Sequence, residues 1–447
     1  MPAMPASDRA PDGGHDHGPD PAGLVVAPFR GLRYDPSRVV DLAAVTSPPY
    51  DVIDPDSAVH LEELDPHNVV RLILPRDGTV GAAAAGDADG RSRYLQAGAA
   101  LDRWTTEGIL CRDDEPALYV YEQAAPGVLQ RGLLAAVGLR DPSDGVILPH
   151  EDVMPGPVAD RLELMRATSA NLEPILLAYD GGGETARVVD GVCASEPLLA
   201  TTTEDGWLQR VWAVTDVAVH ERVARDMAPR TALIADGHHR YATYRRLQAE
   251  HHDGGDGPGD WDLGLAMLVD SRSHPLRVQA IHRVVAGLPL TRALEQAGAV
   301  FRVGPDSYDL RSALHALDGA TGRHPFVITD GDRYTLVEDP EPSALEDAMP
   351  AAAHSADWRA LDASVLHSLL LSRLWQVDDD SRRTMYLHDA SSAVRQVARS
   401  AGVAVLMRPV GLGVVQAMAA RGERMPRKST SFGPKPRTGL VMRLLDR

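Results

Sequence analysis

The chain predicts an α+β fold, with mixed sheets and flanking helices rather than one doubly wound sheet. Three observations predict it. Short apolar runs of strand character alternate with amphipathic stretches, but without a regular βαβ rhythm. Pro126-Gly127 sits between two strand-like runs, 117–123 and 130–140, and reads as a hairpin turn. With 447 residues, 44% of them hydrophobic and 24% charged, the chain is an ordinary globular sequence too long for one core, so two or three domains are expected.

The elements follow in order. Residues 1–22 are rich in Pro, Gly, Asp and His, lack an apolar segment, and read as a disordered tail rather than a secretory signal. His15-Asp16-His17 in that tail is at most a loose metal binder. The segment 25–34 is extended, and Pro48-Pro49-Tyr50-Asp51 makes a stiff turn. A strand is expected at 68–74 and a Gly/Ala/Asp-rich loop at 78–90. The spacing of Tyr94, Ala97, Leu101 and Trp104 predicts a helix over 91–108. A second helix is expected at 158–170, and strands at 175–179, 208–214 and 265–270, with a further extended piece at 279–285. After Leu288 the pattern changes: a helix at 291–297, two strands about Asp330-Gly331-Asp332, and an amphipathic helix at 363–374 with Val365, Leu366, Leu369 and Leu370 on one face. The expected division is a 1–22 tail, a 23–288 catalytic or nucleotide-binding region, and a 289–447 α+β region that contributes the loop from Lys428 to Lys435.

Composition narrows the partners. A net charge of −18 argues against non-specific binding to nucleic acid or an anionic membrane, and no apolar run approaches a membrane span. Two cysteines, Cys111 and Cys193, make neither a disulfide framework nor a zinc-ligand spacing, which fits a cytoplasmic compartment. A small-molecule substrate and a nucleotide are the expected partners.

The richest stretch is Asp236-Gly237-His238-His239-Arg240-Tyr241. The apolar run 231–235 leads in and a helical run leads out, so the cluster falls where a strand hands over to a helix. The first turn of a helix has free N–H groups and the positive end of the macrodipole, which attract anions. Two imidazoles and a guanidinium there suit a phosphate; the plainer alternative is a solvated helix start capped by Asp236. Only two of the 45 basic residues are lysines, and both, Lys428 and Lys435, fall in one short segment. A lysine is a compact point charge and is not interchangeable with arginine at a phosphate oxygen. His150-Glu151 is the second constellation: Glu151 fits a general base, and His150 a phosphate donor or an orienting group. Arg161 in Asp160-Arg161 is a candidate substrate contact, and the two read equally as a mere intrahelical pair. The turns Tyr50-Asp51 and Asp65-Pro66-His67-Asn68 and the pair His282-Arg283 are weaker candidates for substrate contacts. Walker-type, dinucleotide-binding, zincin and nucleophile-elbow motifs are missing.

These stretches, together with Pro28-Phe29-Arg30-Gly31-Leu32-Arg33, Asn68-Val69-Val70-Arg71-Leu72 and His282-Arg283-Val284-Val285, resemble the domain-of-unknown-function-1015 family. Its Asp-Gly-His-His-Arg-Tyr box is similar to the phosphate-contacting Gly-x-x-Arg box of the ParB/sulfiredoxin superfamily, which includes free-serine kinases using ADP or ATP. The resemblance implies a ParB/sulfiredoxin-like core, with Gly237, His238, His239 and Arg240 on nucleotide phosphates and Glu151 as base. Sulfiredoxin's cysteine has no counterpart here, which argues against sulfinic-acid reduction. The expectation is an ATP- or ADP-dependent phosphotransferase acting on a small hydroxylated metabolite, with free L-serine the leading candidate. Mg²⁺ would bridge the phosphates, with Asp236 or Asp51 as ligands. Two competitors remain: a nucleotide-binding regulator without transfer chemistry, and a metal-dependent hydrolase built on His150, Glu151, Asp236 and His238.

Overall fold

The hairpin signal is realised. Leu118–Ala125 and Val128–Gly138 pair antiparallel across the Pro126-Gly127 turn and form the centre of a nine-stranded mixed sheet. The computed structural model describes residues 23–76, 91–377 and 383–446. The tail with His15 and His17 and the loop expected at 78–90 lie outside the described residues. The sheet runs Ile147–Leu148, Ala232–Asp236, Ile175–Tyr179, Leu263–Asp270, Val128–Gly138, Leu118–Ala125, Leu208–Val214, Leu199–Thr202, with Val26–Ala27 added beside Val128–Gly138. Two of its pairings are parallel and the others antiparallel, which is the expected departure from a doubly wound order.

Alternation along these strands divides the apolar residues between two cores. On one face Leu133, Ile175 and Ile234 pack against Tyr241, Tyr244 and Leu247 of the His238–Asp253 helix. On the other, Tyr121, Leu176 and Met267 pack against Met418, Phe432 and Leu440 from the end of the chain.

A second sheet, six-stranded and antiparallel throughout, takes its strands from 282 to 406: Arg302–Ser307, Tyr334–Glu338, Phe326–Thr329, Val403–Leu406, His282–Val285, Thr384–Leu387. Val365, Leu366, Leu369 and Leu370 are buried beneath it, on the face their spacing predicts. The chain then returns to the first body. Ser431–Gly433 pairs with Arg277–Gln279, and Met442–Leu444 pairs with Gly31–Tyr34 and Ala170–Asn171. The segment with both lysines is therefore held by two small sheets and packs through Phe432 against one face of the first sheet, although it follows the second in sequence.

One element differs in type. The strand expected at 68–74 is a short helix, Val70–Ile73. The Asn68 side-chain oxygen accepts from the Val70 N–H at 2.9 Å, a local bond that starts a helical turn and outweighs the apolar run's strand preference. Among the described residues no helix is long and apolar enough to cross a membrane.

Candidate functional site

The Ala232–Asp236 strand ends at Asp236, and the next helix begins at His238, so His238, His239 and Arg240 all lie in its first turn. The corner between them is Gly237, at φ 93°; a Cβ there would stand 2.9 Å from Ile175 Cγ2 and 3.1 Å from Arg240 Nε. Only glycine makes this turn without strain.

Three further segments converge on this corner. Arg424 donates to Pro149 O, and the Met425 N–H donates to His150 O at 2.8 Å, which fastens the His150-Glu151 loop to the chain's final segment. From that segment Lys435 reaches across to two carboxylates, Asp236 Oδ1 at 2.6 Å and Asp51 Oδ2 at 2.5 Å. Asp51 is carried by the Tyr50–Val52 turn, whose Tyr50 N–H donates to Glu173 at 2.9 Å. His150-Glu151, Tyr50-Asp51, the Asp236 box and the lysine segment are thus walls of one site.

His150 is 1% exposed, and burial lowers its pKa to about 4, so its ring is neutral. Nδ1 lies 2.8 Å from the Ile234 carbonyl, which can only accept, so Nδ1 carries the proton and Nε2 accepts from the Thr430 hydroxyl at 2.8 Å. Thr430 Oγ1 is also 3.3 Å from Glu151 Oε1. With the hydroxyl proton committed to His150, that contact is a hydrogen bond when Glu151 is the protonated partner. Burial pushes Glu151 up to about 7, opposed by the nearby Lys428 charge. Glu151 is therefore a carboxyl poised to exchange a proton near neutrality. His150, with both ring nitrogens used, orients Thr430 rather than contacting a ligand.

The remaining expected residues divide into those facing the opening and those behind it. Lys428 is exposed, and among the described residues it has no ion-pair partner. Its charge nevertheless acts on Glu151, Asp51 and His239. His239 is partly exposed and accepts the Met154 N–H at 3.0 Å; burial, then Lys428, holds its pKa below the usual value. His238 is buried edge-on against His150, with ring centroids 4.5 Å apart, and burial pushes its pKa well down. Arg240, expected on phosphate, points inward instead. It is 4% exposed, donates to Pro174 O and to Asp236 Oδ2, both at 2.5 Å, and so braces the strand-to-helix corner.

Arg161 is buried as well: it pairs with Asp160, donates to Ile73 O at 2.5 Å, and stacks 4.4 Å from the Tyr50 ring, which Arg240 approaches at 6.0 Å. Asn68 is fully buried, its amide spent on Ala44 O and the Val70 N–H. His282 and Arg283 belong to the second sheet. His282 accepts the Met407 N–H at 3.2 Å, and the fully buried Arg283 donates to Ile281 O and to His367, 2.6 Å away.

Three contributors escaped the sequence reading. Thr430 lies between the two lysines, where its hydroxyl was the available signal. Glu173 is a buried carboxylate just before an apolar strand, raised by burial and drawn down by Arg240 and Arg161. His388, exposed on the second body, feels Lys435, Lys428, Asp51 and Asp236; no motif marks it.

The residues do not fit a protein-held Mg²⁺. Both oxygens of Asp236 already face cations, Lys435 and Arg240, and Asp51 shares Lys435, whose pKa is raised because Asp236 and Asp51 outweigh its burial. A zinc-type site fits no better, since both His150 nitrogens and the His238 Nε2 lone pair are hydrogen-bonded.

The profile of the family described as "Protein of unknown function (DUF1015)" matches residues 26–364. No curated protein sequence matches the chain. Among solved structures, SbnI with a C-terminal truncation, from Staphylococcus aureus, is 14% identical over 67% of this chain and 82% of its own, at a TM-score of 0.33. A free serine kinase in complex with AMP is 14% identical over 64% and 83%, at 0.32. A mutant free serine kinase in complex with ADP is 13% identical over 64% and 84%, at 0.33. Superpositions this loose assign no activity.

Proposed function

This chain belongs to the DUF1015 family, and we propose that its site is that of a nucleotide-dependent phosphotransferase acting on a small hydroxylated metabolite. The observation that carries the reading is the placement of Glu151. A carboxyl with a pKa of about 7 stands beside a lysine charge and a helix N-terminus, so a proton acceptor faces an anion-binding wall.

In this reading the phosphates lie against the first turn of the His238–Asp253 helix, with Lys428 free to meet them and Lys435 able to shift toward them from Asp51 and Asp236. Such positioning and charge neutralisation is most of what phosphoryl transfer asks of a protein. The acceptor hydroxyl gives its proton to ionised Glu151 as its oxygen bonds to the terminal phosphorus. The bridging P–O bond breaks, and the electron pair leaves with the shortened nucleotide. Thr430, held by His150, accepts from the Glu151 carboxyl once that carboxyl has taken the proton. No step runs through a protein-bound metal.

Free L-serine is the leading acceptor, on the strength of the box's likeness to free-serine kinases. The test is incubation with ATP or ADP and a panel of small hydroxylated metabolites including serine, read by ³¹P NMR. A phosphomonoester that disappears in Glu151→Gln supports transfer. Nucleotide binding without product from any acceptor, and unaffected by Glu151→Gln, favours the regulatory alternative.

A further inference from the structure

Beside Lys435 a cleft of about 380 Å³ opens over the outer strands of the first sheet, within the size range of small-ligand sites. It uses residues that the phosphate site does not. Gln123 and Gln209 line it, Trp207, Phe432 and Pro49 wall it, and Lys435 stands at its edge.

Its floor is unusual for a sheet face. Gln209 is directly opposite Gln123 in register, and Gln123 is directly opposite Gln130, so three glutamines form a row across three strands. None is more than 3% exposed. The row is only partly self-sufficient. Gln123 Nε2 donates to Gln130 Oε1 at 2.6 Å and to Pro434 O at 3.2 Å, and Gln209 Oε1 accepts from the Tyr121 hydroxyl at 2.5 Å. Gln130 Nε2 has no hydrogen-bond partner among the described residues. Gln130 does not line the cleft, so the amides a ligand meets are those of Gln123 and Gln209, and buried amides favour a ligand that can hydrogen-bond to them. Arg437, which also lines the cleft, is spent on Thr46 Oγ1 at 2.7 Å and Thr46 O at 2.9 Å. The glutamine floor itself, as distinct from Asp205, Arg277 and Lys435 around it, is neutral and planar.

We propose that this cleft is an adenine subsite, in which Gln123 and Gln209 read the base, Trp207 and Pro49 cover its flat faces, and Lys435 marks the end toward which the phosphates run. A carboxamide presents a donor and an acceptor in one plane, the complement of an adenine edge, where an amino group adjoins a ring nitrogen. Flat aromatic and proline surfaces suit a stacked heterocycle. The assignment rests on the nucleotide reading of the neighbouring site and deepens it by giving the base its residues.

Calorimetric titration of the full-length protein tests it with adenosine, ribose, AMP, IMP, ribose 5-phosphate and pyrophosphate. Adenosine is expected to bind where ribose does not. AMP is expected to bind at least tenfold more tightly than ribose 5-phosphate, and at least fivefold more tightly than IMP, which has an oxo group in place of the amino group. Gln209→Met should erase most of the AMP preference while leaving pyrophosphate affinity unchanged. Equal affinity for AMP and ribose 5-phosphate, for adenosine and ribose, or for AMP and IMP overturns the assignment. The wild-type comparisons need no variant to fold. Adenosine carries no phosphate, so its binding stands or falls apart from pyrophosphate, whose failure to bind would strike only the phosphate reading.

Discussion

Lys435 Nζ lies 2.6 Å from Asp236 Oδ1, joining the chain's last lysine to the aspartate that ends the Ala232–Asp236 strand. The same ammonium meets Asp51 at 2.5 Å, so one side chain ties the Tyr50–Val52 turn, the Ala232–Asp236 strand and the returning C-terminal segment together. The side chains are largely shielded, 16% exposed for Lys435 and 11% for Asp236, so this differs from a surface ion pair.

Removing that charge strands two carboxylates. Lys435→Met is expected to lower unfolding free energy by about 3 kcal/mol, the usual cost of breaking a shielded pair from one side. Urea denaturation measures it, and an unchanged midpoint would contradict the clamp. Lys435→Arg should restore only part of the loss, because a planar fork cannot replace a point charge between two acceptors.

Glu151 sets a pH dependence with a definite sign. Its pKa is raised to about 7, and a base works only when ionised, so transfer is lost as pH falls through 7 and levels off above it. The logarithm of kcat/KM should climb with unit slope below that point. Glu151→Gln should reduce turnover at least about 100-fold and abolish this limb while nucleotide still binds. Stability runs the other way: a carboxyl raised by burial favours the protonated folded form, so Glu151's contribution weakens as pH rises from its unfolded value, near 4.5, to about 7. The difference in midpoint between wild type and Glu151→Gln, followed across that window, reads it.

At the corner, Gly237→Ala forces a side chain into a left-handed residue and to within 3.1 Å of Arg240 Nε. A loss of about 2 kcal/mol is expected in thermal or urea unfolding. A neutral effect would mean the strand-to-helix turn relaxes more easily than its geometry implies.

For the divalent ion, the cations around Asp236 and Asp51 predict no saturable Mg²⁺ binding by the protein alone at millimolar concentrations. Isothermal titration with MgCl₂ in the absence of nucleotide checks this. A stoichiometric, tight isotherm would show that Lys435 yields its place to metal.

Much of the fold was legible because it rests on local pattern. Period-two and helical spacing placed the 118–138 hairpin, the strand before Asp236 and the helix after it, and the buried face at Val365 to Leu370. The 68–74 segment misled because one Asn68 side-chain bond outweighed strand preference. Within the site, residue types marked the Asp236 box, Glu151 and both lysines, since titratable groups beside apolar runs stand out. Type alone did not reveal direction. Arg240 and Arg161 face inward, and Asn68 supports a helix, because each found buried carbonyls or carboxylates nearer than solvent.

By itself, then, the sequence determined the elements, the α+β class and the chemistry concentrated in four short stretches, all of which depend on neighbours along the chain. Only the tertiary structure decided that these stretches meet, that the final segment crosses back from the second sheet to bring Lys435 onto Asp51 and Asp236, and that burial lifts the Glu151 pKa to about 7. Those outcomes depend on desolvation and on charges far apart in the chain. Both are properties of distance in space, which spacing along a chain does not encode.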